Sequence, residues 1–262
     1  MWTLDHGAAV PTWRPQDPVP NRLLAFTTRR GGVSQAPYDT LNLGRSTDDL
    51  PEAVTENRRR LLASLGSDVD RLATAGQVHG ARVAEVRSSG LHHDADAIVT
   101  CVPGIVLAVS SADCLTLLLT APAGVAAAHS GWRGTVQQMP RAVLRALCEL
   151  TGARPDQVAV HVGPHIRPCC YRVGEEVARQ FPAASVSRRD GGAHVDLLAA
   201  ARLQLLEEGV PLESIGGAPE CTSCNSSWYF SHRREGGRTG RQWAVAGLTE
   251  EPAASGQDGR RV

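Results

Sequence analysis

Short apolar segments separated by turn residues fill the stretch between residues 72 and 128, and this pattern constrains the fold more than any other feature of the chain. Segments of four to six residues bounded by turns are typical of β-strands, because helices need longer periodic runs. The predicted strands are Leu72–Gln77, Arg82–Val86, Ala97–Thr100, Ile105–Val109, Leu115–Thr120 and Val125–Ala128. A fold built around β-sheet is therefore expected.

Helical patterns lie on both sides of this stretch. A helix is predicted from Pro51, which follows a potential cap at Asp49, to Gly66. Another is predicted over Val136–Leu150, in which Pro140 must either begin the helix or kink it. Two further helices are predicted over Gly174–Phe181 and Asp196–Glu208, and the other predicted strands are Leu23–Thr28, Val158–Val162, Ser227–Phe230 and Gln242–Ala246.

The order of these elements does not follow strict strand–helix–strand alternation, and the chain lacks the glycine-rich fingerprint of a dinucleotide fold. We therefore expect an α+β fold, a single-domain sandwich of mixed β-sheet with flanking helices. Residues 1–21 are predicted to be an irregular N-terminal arm and residues 22–248 a single catalytic domain. The polar segment 249–262 is expected to be a disordered tail.

Charge and composition narrow the function classes. The 27 basic residues balance 27 acidic ones, so long-range attraction to nucleic acid or to acidic membranes is not expected, and the expected partner is a small molecule. All the basic residues are arginines, which excludes lysine chemistry such as Schiff-base formation. No apolar run is long enough for a membrane span, no secretory signal is present, and seven cysteines indicate reduced thiols, so a cytoplasmic protein is predicted.

Three segments place a reactive side chain at the end of a predicted strand. They contain His79, Cys114 and His129. Imidazole and thiolate suit zinc, and three protein ligands leave one coordination position open, as in catalytic zinc sites. The residues alone leave a second interpretation open, in which Cys114 is a buried thiol and the histidines only make hydrogen bonds.

Two arginine-containing turns are candidate anion sites. Arg133 lies between glycines where a predicted strand passes into a helix, so backbone N–H groups and a helix N-terminus near Thr135 could face the same ligand. Arg29 precedes a glycine pair in a similar turn. A tight turn and a solvated charge are the simpler interpretations of the two segments.

Four further cysteines could form a second zinc site. Cys221 and Cys224 have the Cys-x-x-Cys spacing, and Cys169 and Cys170 could complete four thiolates. Two adjacent cysteines are poorly placed for tetrahedral coordination, so free buried thiols are the preferred prediction.

Motifs along nearly the whole chain resemble those of the laccase-domain family, the polyphenol oxidase or purine nucleoside phosphorylase group that includes bacterial YfiH. The matching stretches begin at Thr28 and extend into residues 233–234. They include Thr28–Ser34, Pro37–Gly44, Glu56–Arg58, Gln77–Gly80, Ala112–Cys114, His129–Gly134, Val162–Ile166, Val173–Val177, Cys221–Thr222 and Tyr229–Ser231. The resemblance implies a fold similar to that of a cytotoxic necrotizing factor.

The resemblance also implies a function. It implies zinc bound by His79, Cys114 and His129, phosphorolysis of adenosine, inosine, guanosine and methylthioadenosine, and hydrolytic deamination of adenosine. Cys114 and Asp113 are then the predicted catalytic residues. The predicted residues for binding purine nucleoside and phosphate are Arg29, Asn42, Gln77 and Arg133.

Two alternatives use the same residues. Cys114 could be the nucleophile and His129 the base of a cysteine hydrolase, such as an amidase acting on cell-wall precursors. Copper bound by two histidines and a cysteine would support phenol oxidation. Multicopper oxidases need more histidines in close motifs than this chain offers, so copper is the less favoured metal.

Overall fold

Two stacked β-sheets form the centre of the protein in a computed structural model that describes residues 1–249. The larger sheet contains seven strands, in the spatial order β1 (Trp2–Leu4), β2 (Thr12–Pro15), β3 (Arg22–Thr27), β16 (Gln242–Leu248), β8 (Val106–Ser111), β4 (Leu72–Ala75) and β6 (Gly90–His92). The second sheet contains six strands, in the order β15 (Ile215–Gly217), β11 (Ala159–Val162), β9 (Leu115–Ala121), β10 (Gly124–Ser130), β7 (Ala97–Thr100) and β5 (Val83–Glu85). A small third sheet consists of β12 (Arg172–Val173), β14 (Gly192–Val195) and β13 (Val186–Arg189).

Helices cover the outer face of each large sheet. They are α1 (Pro51–Ser64), α2 (Trp132–Val136), α3 (Met139–Thr151) and α5 (Leu197–Glu207), whereas α4 (Glu175–Ala178) packs on the small third sheet. Leu61 and Leu62 of α1 pack with Trp243 of the seven-stranded sheet, whereas α3 and α5 pack on the six-stranded sheet. A third cluster of apolar residues lies between the two sheets. The predicted α+β sandwich is therefore confirmed.

The central strands β9 and β10 are buried along their whole length. Leu117 and Leu119 of β9 face the cluster under the helices, and Leu118 between them faces the cluster between the sheets. Burying one leucine side chain contributes about 2 kcal/mol, and both faces of this strand contribute. Because both faces are covered, these strands are continuous apolar runs in the sequence, which made them predictable.

The predicted helix over Val136–Leu150 corresponds to α3, and a separate short helix, α2, precedes it. α2 ends at Val136, and Gln138 has a left-handed backbone conformation with φ 68° before α3 begins at Met139. Pro140 lies in the first turn of α3, where its missing N–H is not needed. The sequence identified Pro140 as a helix start or a kink, but it did not predict the short helix before it.

The N-terminal prediction is wrong in one respect. Residues 1–21 are not an irregular arm, because β1 and β2 within them extend the seven-stranded sheet. Trp13 pairs with Phe26 of β3, and the Trp2 ring lies 4.7 Å from the Phe26 ring. Aromatic packing against the sheet outweighs the proline content that suggested an arm.

Another local prediction is also corrected. The predicted strand Ser227–Phe230 is a turn in the structure, in which the N–H groups of Trp228 and Tyr229 donate to the carbonyl of Asn225. Tyr229 and Phe230 are nevertheless fully buried, so their apolar character reflects packing rather than sheet pairing. The predicted disordered tail, 249–262, lies outside the described residues apart from Thr249.

Among residues 1–249, no helix is both long and apolar enough to cross a lipid bilayer.

Candidate metal centre

Strand register brings the three predicted metal ligands together. In the β9–β10 pairing, His129 lies opposite Thr116 and Ser130 opposite Leu115, so the chain that continues from β10 meets Cys114 at the start of β9. His79 lies in the loop after β4, whose strand pairs in parallel with β8 of the larger sheet. The centre therefore lies where the ends of strands from both sheets meet.

The ligand atoms of His79, Cys114 and His129 all lie within 4.8 Å of one another. The two imidazole rings are nearly perpendicular, with centroids 5.0 Å apart. His129 is buried, Cys114 is half-buried and His79 is exposed, so the cluster is open to solvent on one side. This spacing fits three ligands of one tetrahedral metal ion with a free fourth position.

Gly131 is required by the closeness of these atoms. A Cβ at this position would lie 2.9 Å from Sγ of Cys114 and 3.4 Å from Cδ2 of His79. Any larger residue would push a ligand away or move the turn. The glycine after His129 therefore serves the ligands themselves.

Asp96 holds two of the ligands in place. Its carboxylate accepts a hydrogen bond from Nδ1 of His129 at 2.9 Å, and from the backbone N–H groups of Val78, His79 and Gly80 at 3.1, 2.9 and 2.8 Å. Asp96 itself is fully buried, one residue before β7. A carboxylate on Nδ1 orients the ring and leaves Nε2 to bind a metal, as in many zinc sites.

Charge interactions shift the ionisation of the cluster. Burial raises the pKa of the Cys114 thiol, but the charge and hydrogen bonds of His129 and His79 outweigh it and lower the pKa to about 6. Burial lowers the pKa of His129, yet Cys114 and Asp96 together raise it to about 9. Without a metal, Cys114 is therefore a thiolate at neutral pH, the form that binds zinc.

Several residues around the ligands have strained backbone conformations. Gln77, His79 and Asp113 have φ values of 57°, 62° and 89°, in the left-handed region that residues with a side chain seldom adopt. Such conformations persist only where surrounding contacts enforce them, and they are concentrated at functional sites. The strain here coincides with the two ligand loops of His79 and Cys114.

A cleft of about 710 Å³ opens onto the three ligands. Its apolar and aromatic lining includes Leu91, Trp132, Ile166 and Tyr171. Its arginines are Arg45, Arg58, Arg133, Arg233 and Arg241. The one carboxylate in the described lining is Asp113, so the cleft is strongly basic although the whole chain is neutral. Such a site suits an anionic ligand that also carries a flat apolar group.

The predicted binding residues separate into two groups. Gln77 and Arg133 line the cleft. The amide of Gln77 is hydrogen-bonded in both directions to the backbone of Ser110, at 2.7 Å each. The guanidinium of Arg133 lies 4.4 Å from the Trp132 ring and makes no hydrogen bond within residues 1–249. It is free to bind a ligand.

Arg29 and Asn42 lie outside the cleft lining. The Arg29 guanidinium pairs with Asp39 at 3.3 Å and with Glu235 at 3.0 Å, and it stacks on Phe230. The fully buried Asn42 accepts hydrogen bonds from the backbone N–H groups of Gly44 and Arg241. Both side chains are engaged in holding loops together.

Asp113 lies beside Cys114, and its carboxylate is already well hydrogen-bonded. It accepts from the hydroxyls of Thr222 and Ser231 at 2.6 and 3.1 Å, and from the N–H of Arg233 at 2.7 Å. These contacts attach two distant loops to the Cys114 turn. The helix expected to start near Thr135 instead starts at Trp132, as α2. The Thr135 hydroxyl is buried and donates to the Ser130 and Gly131 carbonyls.

Sequence reasoning missed several residues of this site. Asp96 carried one signal, an acidic residue directly before a fully buried strand. Arg58 is buried in α1, donates twice to the carbonyl of Leu43 and lies over the Trp243 ring, so only its position in the fold reveals that it borders the cleft. Burial and the nearby Arg45 lower the pKa of Arg58 to about 9. Tyr171 and Arg241 carried no signal of their own.

The described residues contain a second group that could hold a metal, formed by Cys169, Cys170, Cys221 and Cys224. The prediction of free buried thiols is wrong about burial, since Cys169 and Cys224 are exposed, and the four sulfurs lie within 4.8 Å of one another. The two groups share no residue.

Comparisons with known proteins give one consistent result. Residues 23–249 match a family described as multi-copper polyphenol oxidoreductase laccase. A purine nucleoside phosphorylase from Deinococcus radiodurans is 44% identical, over 90% of this chain and 91% of its own length. The adenosine deaminase RL5, from an unknown prokaryotic organism, is 37% identical over 83% of this chain and 90% of its own.

A solved structure extends the comparison to the fold. YlmD from Geobacillus stearothermophilus superimposes with a TM-score of 0.89 at 32% sequence identity, covering 94% of this chain and 99% of that one. The resemblance noted from the motifs is confirmed.

Proposed function

Because the chain belongs to the multi-copper polyphenol oxidoreductase laccase family, the laccase-domain group, and is an enzyme, we propose that it is a zinc-dependent purine nucleoside enzyme. It cleaves adenosine, inosine, guanosine and methylthioadenosine with phosphate, and it deaminates adenosine by hydrolysis. The observation that carries the proposal is the convergence of His79, Cys114 and His129 at the floor of a basic cleft. The seven free cysteines of the chain fit a cytoplasmic enzyme, because disulfides are rare in the cytoplasm.

The donor set favours zinc over copper. Two imidazoles and a thiolate fit either ion, but a multicopper centre needs several histidine clusters. Within residues 1–249, the second convergent group contains only cysteines. His79, Cys114 and His129 would hold the zinc, which would supply a Lewis acid to the cleft.

The residues of the chain position the substrates. In phosphorolysis, the bond between the purine nitrogen and C1′ breaks as a phosphate oxygen bonds to C1′. The guanidinium of Arg133, which makes no hydrogen bond within residues 1–249, binds that phosphate, and Arg45, Arg58, Arg233 and Arg241 make its surroundings positive. The rings of Trp132 and Tyr171 provide flat apolar surface for the base.

In deamination, oxygen from water replaces the amino group at C6 of adenosine, and ammonia leaves. The reaction needs a group that carries protons beside the metal. We assign this role to Asp113, which adjoins Cys114 and lines the cleft. The three groups that donate hydrogen bonds to its carboxylate keep its position fixed.

Adenosine incubated with and without phosphate tests the proposal. With phosphate we expect adenine and ribose 1-phosphate, and without it we expect inosine and ammonia. Cys114→Ala should abolish both reactions, and a zinc chelator should abolish them reversibly. Cys148→Ser, a half-buried cysteine in α3, is the control and should retain full activity. Equal product formation by Cys114→Ala would contradict the proposal.

A second candidate is a cysteine hydrolase, and a specific observation favours it. Cys114, His129 and Asp96 form a thiolate, an imidazolium and an orienting carboxylate, the arrangement of a cysteine nucleophile with its base. A protein that holds no metal, resists chelators and forms an acyl adduct on Cys114 with amide substrates would support this function. Stoichiometric zinc and loss of activity on chelation would exclude it.

A further inference from the structure

Four cysteines that are distant in sequence from His79, Cys114 and His129 bring their thiols together in a second cluster. The sulfurs of Cys169, Cys170, Cys221 and Cys224 all lie within 4.8 Å of one another. Sγ of Cys224 lies 3.6 Å from that of Cys169 and 3.4 Å from that of Cys170. Disulfide sulfurs are about 2.05 Å apart, whereas the edges of a zinc–thiolate tetrahedron with 2.3 Å bonds are about 3.8 Å. The two measured distances are too long for a disulfide and lie close to the edge of such a tetrahedron.

Two tight turns carry these cysteines. In the first, Pro168 begins a turn in which the N–H groups of Cys170 and Tyr171 both donate to the carbonyl of Arg167 at 2.9 Å. In the second, the backbone and side-chain amides of Asn225 each donate to the carbonyl of Cys221 at 3.2 Å. The first turn lets the adjacent residues Cys169 and Cys170 both contact Cys224. This answers the objection that two adjacent cysteines are poorly placed for tetrahedral coordination.

Backbone contacts join the two turns and serve one of the sulfurs directly. His165 pairs with Cys221 in an isolated β-bridge. The N–H of Arg167 donates to Sγ of Cys221 at 3.5 Å, the type of contact that stabilises a metal-bound thiolate. The two turns are thus already positioned around a common centre.

Arginines surround the cluster. Arg167 donates to the carbonyl of Pro219 at 2.6 Å, and Arg234 donates to the carbonyls of Thr222 and Ser223 at 2.7 and 3.1 Å. Arg189 donates to the carbonyl of Pro168. Four thiolates around a divalent ion carry a net negative charge, which these guanidinium groups offset.

We propose that Cys169, Cys170, Cys221 and Cys224 bind a second zinc ion in a closed four-thiolate structural site. We choose zinc as the metal because four thiolates fill all the coordination positions of a tetrahedral zinc ion, and a structural site needs no redox chemistry. The ion ties together the turn that precedes Tyr171 of the cleft and the segment containing Thr222, which contacts Asp113.

Counting metal in purified protein tests the site. We expect two zinc ions per wild-type chain by native mass spectrometry and elemental analysis. Cys224→Ser and Cys114→Ala should each lose one, from different sites, and Cys148→Ser should keep both. Because each variant removes a different ion, loss of the proposed catalytic zinc and loss of this one give separable results.

Cobalt substitution identifies the ligands. Cys114→Ala loaded with Co²⁺ should retain the intense sulfur-to-metal absorption of a tetrathiolate site, and this absorption should disappear in Cys224→Ser. Cys224→Ser should also unfold about 5–10 °C lower than wild type. If Cys224→Ser does not fold, Cys169→Ser can be measured in its place, because Cys169 is exposed. The number of zinc ions counted in wild-type protein does not depend on either variant.

Four results would overturn the proposal. These are a single metal per wild-type chain that Cys224→Ser retains and Cys114→Ala loses, unchanged metal content in both Cys224→Ser and Cys169→Ser, iron with labile sulfide in place of zinc, and a disulfide between Cys170 and Cys224 in protein purified without reductant.

Discussion

The two clusters of potential metal ligands differ in how the fold assembles them. His79, Cys114 and His129 come from strand ends in two sheets, whereas the four cysteines come from two short turns. The first cluster has three ligands, an exposed side and a basic cleft. The second cluster has four ligands, and none of them lines the cleft. Rigid sheets suit a centre that must keep an open position, while turns suffice for a closed structural one.

The largest expected effect comes from His129→Ala. Removing this ligand also leaves the buried Asp96 carboxylate without its imidazole partner. We expect at least about a 1000-fold loss of kcat/KM for adenosine and the loss of one zinc. Steady-state kinetics and elemental analysis measure both. Cys224→Ser should stay within about threefold of wild-type activity, and a comparable loss there would break the distinction between the clusters.

Gly131→Ala should come next. Its methyl group would lie 2.9 Å from Sγ of Cys114, so the ligands must shift. Displacements near 1 Å at an active site cost about 100-fold in rate, and we expect about that loss in kcat with the melting temperature nearly unchanged. Gly216→Ala is the matched control, since a Cβ there meets nothing within 4 Å. Wild-type kinetics for Gly131→Ala would show that the close approach is not needed.

Asp96→Asn keeps the shape of the side chain but removes its charge. Zinc affinity of the cleft site should fall by about 10- to 100-fold, because the amide orients His129 less well. Competition with a chromophoric chelator measures this affinity. Asp94→Asn, at an exposed position two residues earlier, should leave it unchanged. Zinc binding by the four cysteines should be the same in both variants.

The smallest expected effect separates two arginines. Arg133→Gln should raise KM for phosphate by about tenfold with little change in kcat, because Arg133 lines the cleft and its guanidinium makes no hydrogen bond to any residue between 1 and 249. Arg29→Gln breaks ion pairs to Asp39 and Glu235 and should instead lower the melting temperature. A tenfold rise in KM for phosphate caused by Arg29→Gln would restore the sequence-based prediction that Arg29 binds phosphate.

Much of the fold was predictable because it depends on local patterns. The apolar runs of β9 and β10, and the proline and glycine that bound α1, located their elements to within a residue or two. The N-terminal strands β1 and β2 could not be predicted, since their pairing depends on contacts with Phe26. Tyr229 and Phe230 misled in the opposite direction, because burial without pairing looks like a strand.

The site divides in the same way. The sequence identified His79, Cys114 and His129 because each follows or precedes an apolar run, and their convergence was then a hypothesis. Asp96 and Tyr171 escaped notice, and Arg58 was noted only as part of a family motif, because their significance arises from neighbours far along the chain. Arg29 and Asn42 resembled binding residues, yet the structure gives both of them loop-holding contacts.

The sequence by itself determined which residues are apolar, which turns contain glycine, and which side chains can bind a soft metal ion, since these depend on residue type and near neighbours. Only the tertiary structure decided which of those side chains meet. Strand register places Asp96 beside His129 and Cys114 beside Gly131, and two turns bring four cysteines around one point. Register depends on which residues face the core and on turn geometry, and loop packing depends on contacts far along the chain, so residue type alone does not encode them.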